Sequence, residues 1–151
     1  MANIYVCRGL PGSGKSTWAR KFQEQNLGTV IVNRDTIRQQ VFGYEAPNGK
    51  NGWLEQRVSV IETAMIDAAL KNGFDVVIDN VNGRMPVFPP EHSVHQIWFD
   101  TSVEECIRRR SVSDRVVSRD VILGMIARYP HLNPSNPYDR ELVITAFKYG
   151  K

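Results

Sequence analysis

The sequence predicts one α/β domain of three layers, in which helices flank a mainly parallel sheet of four or five strands. Short apolar runs rich in β-branched residues alternate with longer segments whose apolar residues recur every three or four positions. This alternation favours a parallel sheet, because parallel strands must be joined by a crossover that is usually a helix. A glycine-rich loop at 9–16 separates the first apolar run from the first helical segment, a second sign of the same architecture.

The first half of the chain predicts three strands and three helices. The strands cover 4–7, 29–33 and 75–79, and the helices cover 17–25, 34–42 and 53–71. Gly28 and Gly73 follow two of these helices, and glycine is the residue that most readily ends a helix. Glycine, proline and asparagine accumulate at 43–52, which predicts an exposed loop before the third helix.

The second half begins with a proline-rich connection at 85–90. A regular helix is not expected there, because proline lacks the amide proton that a helix uses. Ser102 and Glu105 have the spacing of a capping box at a helix start. The remaining predicted elements are a strand at 95–100, a helix from this cap through Arg110, a helix at 118–128 closed by Pro130, and an edge strand at 142–144.

Composition places the chain among globular proteins of one domain, which we assign to 1–151. Its 42% hydrophobic and 23% charged residues are typical of that class, and no stretch approaches the ~20 apolar residues of a membrane span. The net charge of +3 permits a polyanionic partner without requiring one. Cys7 and Cys106 form neither a disulfide framework nor a metal knuckle, so we expect a cytoplasmic protein, with room for a homo-oligomer.

Residues 9–16 match the motif G-x-x-x-x-G-K-[ST], the phosphate-binding P-loop. In such a loop backbone amides surround the nucleotide phosphates, the lysine reaches the β- and γ-phosphates, and the hydroxyl binds Mg²⁺. Lys15 and Ser16 stand at those two positions. The residues expected to bind the nucleotide are Gly9, Pro11, Gly12, Ser13, Gly14, Lys15, Ser16 and Thr17.

Phosphoryl transfer also needs a group that orients the attacking hydroxyl. Asp35, just after the second strand, is a candidate general base, although aspartate is equally a favoured helix N-cap. Arg38 shares its helix face and is either a ligand for an anionic substrate group or a solvated side chain. Asp79 ends the third strand, where it orders Mg²⁺ waters, binds substrate or caps a turn. Arg34 and Arg84 are further candidate substrate ligands.

Five arginines lie between 108 and 119, against one acidic residue. In small kinases such a segment closes over the nucleotide as a lid, and its arginines neutralise the charge that develops during transfer. We place the lid at about 109–118. A solvated helix end accounts equally well for some of these side chains, because arginine suits the last turn of a helix.

The segments 9–20 and 32–38, the strand ending at Asp79 and the arginine-rich lid resemble, in order, phage-type polynucleotide 5′-hydroxyl kinases. The resemblance runs over about residues 3–128 and is most specific at Asn33-Arg34-Asp35 with Arg38. It implies a P-loop kinase fold and a kinase that uses ATP and Mg²⁺ in a host-cell cytoplasm. It also implies Asp35 as the general base on a 5′-hydroxyl and Arg38 as the ligand of the acceptor's phosphate.

The same resemblance implies that lid arginines grip the ATP phosphates. Arg109 matches the first of the family's two lid arginines, but position 113 is serine, so Arg115 is taken as a shifted substitute for the second. The family has Asp-Thr-Asn after the third strand, whereas this chain has Asp79-Asn80-Val81-Asn82. The family also has a helix between the third and fourth strands, where this chain has the proline-rich link. These departures fall where an acceptor lies, so they bear on acceptor identity more than on ATP-dependent transfer.

The favoured function is ATP-dependent phosphorylation of a nucleic-acid hydroxyl, in particular the 5′-OH end of DNA or RNA. A modified-base hydroxyl in DNA, or a small metabolite, nucleoside or nucleotide, is an alternative acceptor on the same fold. The sequence displays no obvious stripe of aromatic and basic residues, which keeps the small-molecule alternative open. A nucleotide-dependent switch is disfavoured, because no Asn-Lys-x-Asp motif is present and no Asp-x-x-Gly follows the third strand.

Overall fold

The computed structural model describes residues 1–45, 51–113, 116–136 and 146–149. The edge strand predicted at 142–144 lies outside the described residues. The strands are β1 (Asn3–Arg8), β2 (Val30–Val32), β3 (Val76–Ile78), β4 (Ser93–Phe99) and β5 (Ala146–Tyr149). The helices are α1 (Lys15–Gln25), α2 (Arg34–Phe42), α3 (Gly52–Lys71), α4 (Val103–Val112) and α5 (Arg119–Arg128), with a 3₁₀ turn at Pro130–Leu132. None of the described helices is long and apolar enough to cross a membrane.

The five strands form one sheet in the order β2-β3-β1-β4-β5, and every neighbouring pair is parallel. This confirms the predicted α/β fold with its parallel sheet. β1 lies at the centre, between β3 and β4. Because the strands are parallel, their carboxyl ends share one edge of the sheet, where ligands of open α/β folds bind. The P-loop after β1, Asp79 after β3 and the start of α2 after β2 therefore lie at the same edge.

Alternate side chains of β1 point to opposite faces of the sheet and enter two different cores. Ile4 and Val6 are fully buried in the core beneath α2 and α3, whereas Tyr5 and Cys7 face α1. A third cluster around Trp98 packs β4 against α4 and α5. Full burial of each such aliphatic side chain contributes roughly 1.5–3 kcal/mol, so these cores fix the helices against the sheet.

The proline-rich connection between β3 and β4 contains no helix, as predicted. Met85 and Phe88 instead anchor it to the core beneath α3. Its first part passes the end of α5, where Gly83 lies against the ring of Tyr129. A Cβ atom on Gly83 would stand 2.3 Å from Cδ2 of that ring, so the close contact requires glycine.

We expect Gly83→Ala to lower the free energy of unfolding by about 1–3 kcal/mol, because the added methyl group forces the Tyr129 ring or the connection to move. Gly124→Ala is the matched control, since it lies within α5 and a Cβ there meets no atom within 4 Å. That variant should be stabilised by about 0.5–1 kcal/mol, because alanine favours a helix more than glycine does. Urea unfolding of both variants measures the difference, and equal stabilities would contradict the contact.

Candidate active site

The P-loop takes conformations that need glycine and packs against α4. Gly12 and Gly14 have φ angles of 83° and 104° in the left-handed region. A Cβ atom on Gly12 would stand 2.8 Å from the carbonyl oxygen of Cys106 in α4. On the other side, the Gly9 amide donates a hydrogen bond of 3.2 Å to the carbonyl of Val81. The loop is thus held from both sides, by α4 and by the connection after β3.

Lys15 is buried within the loop. Its Nζ donates hydrogen bonds to the carbonyl oxygens of Gly9 (3.0 Å) and Leu10 (2.7 Å). Burial lowers the pKa of the Lys15 ammonium to about 8, although the negative charge of Asp79 partly opposes the shift. The lysine is therefore a desolvated cation at the place where the motif puts phosphates.

Asp79 connects the P-loop to the start of α2. Its Oδ2 accepts hydrogen bonds from Ser16 Oγ (2.7 Å) and from Asn33 Nδ2 (3.2 Å), and Asn33 also donates to the Asp79 carbonyl (2.8 Å). Its Oδ1 is buried without a hydrogen-bond partner among the described residues. A carboxylate beside a serine hydroxyl offers the hard oxygen ligands that Mg²⁺ prefers. Ser16 and Asp79 therefore fit Mg²⁺, with Asp79 acting directly or through a water molecule.

Asp35 lies in the first turn of α2 but does not cap the helix. The N-cap is Asn33, whose Oδ1 accepts a hydrogen bond of 2.9 Å from the Thr36 amide, so the alternative of Asp35 as the helix cap is wrong. The helix starts two residues earlier than that alternative required, and Asn33 meets the capping geometry instead. The Asp35 side chain is 42% exposed and pairs with Arg38 Nη1 at 2.5 Å.

Arg38 is buried between Asp35 and α3. Its Nε and Nη2 donate to the two carboxylate oxygens of Glu55, at 2.8 and 2.6 Å. These hydrogen bonds hold the pKa of Glu55 at about 2, well below its ordinary value. Three of the five N–H donors of Arg38 are engaged by the two carboxylates, so two remain for another ligand.

A second ionic network fixes the position of α2. Arg34 Nη1 donates to Glu62 at 2.9 Å, and Nη2 reaches Glu55 at 3.3 Å, both in α3. The other oxygen of Glu62 accepts a hydrogen bond from Asn80 Nδ2 (2.9 Å). Asn80 Oδ1 in turn accepts one from the Arg34 backbone amide (3.0 Å). Arg34 is thus engaged within the protein, where it joins α2, α3 and the connection after β3. Its predicted contact with substrate stays a prediction.

The predicted lid begins inside a helix, because α4 continues to Val112. Arg109 Nη1 donates to the Gly12 carbonyl at 3.1 Å, so it reaches the P-loop. Arg110, another of the five arginines in that segment, also lies beside the loop and lines the cleft. Arg115 lies outside the described residues. Exposed Arg108 and Arg119 instead form ion pairs with Glu105 and Glu104.

One large cleft, about 1690 Å³ in volume, brings most of the predicted residues together. Its walls are the P-loop, α2, one side of α3, the proline-rich connection and α5. The predicted site residues that line it are Pro11, Gly12, Gly14, Lys15, Ser16, Thr17, Arg34, Asp35, Arg38, Asp79 and Arg109. Gly9 and Ser13 are buried behind this surface. Arg84 is exposed and does not line the cleft.

Sequence reasoning missed the acidic side of the site. Glu55 and Glu62 are seven residues apart, two helical turns, and so share one face of α3. They meet Arg34 and Arg38, which are one turn apart on α2. The matching spacing of charges on two predicted helices was the available signal, but only the packing of α2 on α3 makes the pairing specific.

Four features define a P-loop kinase domain. They are a central strand, a P-loop after it, a helix that carries the loop's lysine, and a carboxylate after the neighbouring strand. Residues 4–132 match the model of the AAA_33 family, described as an AAA domain, and the chain belongs to that family. The kinase class inferred from the sequence is therefore confirmed at the level of the domain.

Three proteins of known function or structure are similar to this chain. The chain is 30% identical over 83 residues to the L-seryl-tRNA(Sec) kinase of Methanococcus maripaludis, covering 52% of this chain and 30% of that protein. A solved structure of the Pnkp1/Rnl/Hen1 RNA repair complex contains a chain that matches 87% of this one, with 27% identity and a TM-score of 0.73. A second structure of the Pnkp1/Rnl/Hen1 complex matches 75%, with 30% identity and a TM-score of 0.62. This chain spans only 45% and 40% of those two chains.

We expect nucleotide binding to be coupled to proton uptake near pH 8. Without phosphates, Lys15 loses its proton as the pH rises through about 8, and a bound triphosphate should restore the charged form. ATP affinity should therefore fall above pH 8. Calorimetry at pH 8.5, in two buffers of different ionisation enthalpy, measures the proton uptake. Lys15→Arg, which stays protonated, should bind without it; unchanged uptake in that variant would assign the proton to another group.

Proposed function

We propose that this domain transfers the γ-phosphoryl group of ATP to a hydroxyl of a nucleic acid, with a 5′-OH end as its preferred acceptor. The observation that carries the proposal is the shared cleft. A half-exposed carboxylate, Asp35, faces the same space as Lys15, Ser16 and Asp79. A general base and a phosphate-binding loop on one cleft are the two parts that hydroxyl phosphorylation needs.

On the donor side, the P-loop amides and Lys15 hold the ATP phosphates, while Ser16 and Asp79 hold Mg²⁺. When bound, Mg²⁺ neutralises charge on the β- and γ-phosphates. Arg109, which reaches the loop from α4, adds positive charge beside the transferring group, and Arg110 lines the same wall. These contacts need no covalent step by the protein, since phosphoryl transfer depends on positioning and charge.

On the acceptor side, Asp35 takes the proton of the acceptor hydroxyl. The hydroxyl oxygen attacks the γ-phosphorus, and ADP leaves. The ion pair with Arg38 directs the Asp35 carboxylate, because Arg38 is itself fixed by Glu55. The two remaining donors of Arg38 suit a phosphate oxygen of the acceptor. A 5′-OH end offers such a phosphate on the 3′ side of its first nucleoside.

Two further observations support a nucleic-acid acceptor. The cleft exceeds the roughly 300–1,000 Å³ of ordinary small-molecule pockets, so it has room for a substrate beside ATP. The structural relatives come from an RNA repair complex, and the kinase relative is named for a seryl-tRNA substrate. That relative also favours a second candidate, a hydroxyl carried elsewhere on a nucleic acid.

An acceptor panel tests the proposal. ATP labelled at the γ-phosphate is offered with 5′-OH DNA, 5′-OH RNA, seryl-tRNA, nucleosides and sugars. Label removed from the oligonucleotides by a 5′-phosphatase is the expected result. Label only on seryl-tRNA would select the second candidate, and label only on small molecules would reject a nucleic-acid acceptor.

For the general base, we expect Asp35→Asn to lower kcat by about 10²–10⁴, because the amide cannot accept the proton. ATP affinity should stay near that of the wild type, since Asp35 lies on the acceptor side. Thr36→Ala changes the adjacent exposed side chain and should leave kcat unchanged. Single-turnover kinetics with nucleotide-binding titrations separate the two effects, and near-normal kcat in Asp35→Asn would remove the residue from the mechanism.

For the acceptor phosphate, we expect Arg38→Gln to lower kcat/KM more for nucleoside 3′-phosphates than for unphosphorylated nucleosides. The wild type should favour the phosphorylated acceptor in kcat/KM, and the variant should lose that preference about tenfold, the effect of one charge-assisted contact. The ratio is taken on one protein sample, so partial unfolding cancels. A preference that survives in Arg38→Gln would place the phosphate elsewhere.

A further inference from the structure

The first turns of α3 present an aromatic side chain to solvent. Trp53 is 62% exposed, whereas Trp98 is buried and Trp18 is half-buried. The guanidinium of Arg57, one turn further along α3, lies over the Trp53 ring with its Cζ 4.4 Å from the centroid. An indole this exposed is unusual for a large apolar side chain, because burying it would be favourable.

We propose that Trp53 and Arg57 form a stacking platform for the single-stranded nucleic acid that continues downstream from the acceptor hydroxyl. The inference rests on the proposed function and extends it, because it assigns a binding subsite beyond the reacting nucleoside. One face of the indole is covered by Arg57, and the high exposure of the side chain leaves surface for a nucleobase.

The chemistry of the pair favours a nucleic acid as the occupant. Aromatic side chains stack on any base, and an adjacent arginine attracts the phosphates, the combination used by sequence-tolerant single-strand binding sites. Within the described part of the chain, Arg57 forms no ion pair with a carboxylate, so its charge is not compensated. Arg34 and Arg38 on the neighbouring helix are, by contrast, paired with acidic residues.

The platform and the acceptor site lie on opposite faces of α3. Glu55, two residues after Trp53, holds Arg38, and Arg38 pairs with Asp35. A two-residue offset turns a side chain by about 200° around a helix of about 10–12 Å diameter. The platform therefore lies across α3 from Arg38, a distance that a few nucleotides of extended strand cover. It contacts a downstream nucleotide and leaves the first nucleoside to the catalytic cleft.

Length dependence tests the platform. Trp53→Ala is expected to raise KM about tenfold for a 5′-OH oligonucleotide, as for the loss of one stacked base. KM for a nucleoside 3′-phosphate and for ATP should not change, because neither reaches the platform. Trp53→Phe should stay within about threefold of the wild type, and Arg57→Gln should weaken oligonucleotide binding and its salt dependence. Phe74→Ala, an exposed aromatic before β3, is the matched control and should have no effect.

Tryptophan fluorescence gives a readout that does not depend on catalysis. A non-reactive 5′-phosphorylated oligonucleotide should quench the wild type and Phe74→Ala, and the quenching should be lost in Trp53→Ala. Equal KM increases for short and long acceptors, or quenching that survives in Trp53→Ala, would overturn the platform. So would reduced self-association of Trp53→Ala with unchanged oligonucleotide binding. If the wild type phosphorylates no 5′-OH acceptor, the proposed function fails, while the quenching experiment still decides whether the platform binds nucleic acid.

Discussion

The carboxylate of Asp79 holds the site together. It stands at the end of β3, accepts a hydrogen bond from Ser16 of the P-loop, and accepts another from Asn33, the N-cap of α2. The P-loop and the start of α2 are therefore joined through one side chain at the end of β3. Such a group also offers an oxygen to a metal ion, so the scaffold and the chemistry share the same atoms.

Ionic contacts between α2 and α3 set where Asp35 stands. Two arginines of α2 meet two glutamates of α3, and most of these side chains are at least three-quarters buried. Buried ion pairs contribute little net stability, because desolvation offsets much of their attraction, but breaking one leaves an expensive unpaired charge. Their effect here is to select one orientation of α2. Glu55 thereby fixes the orientation of Arg38.

The connection between β3 and β4 forms one wall of the cleft. The proline-rich segment forms no helix there, and Met85 and Phe88 anchor it to the core beneath α3. Gly83 brings its first part close to Tyr129 at the end of α5.

The sequence by itself determined the parallel α/β architecture, the P-loop and the cap at Ser102, because these depend on spacings within a few residues. Tertiary structure decided which long-range partners meet. Asn33 rather than Asp35 caps α2, Glu55 engages Arg38, Arg110 joins the P-loop wall, and Arg84 stays outside the cleft. Which partner a side chain reaches depends on how the helices pack on the sheet, and no local sequence pattern encodes that packing.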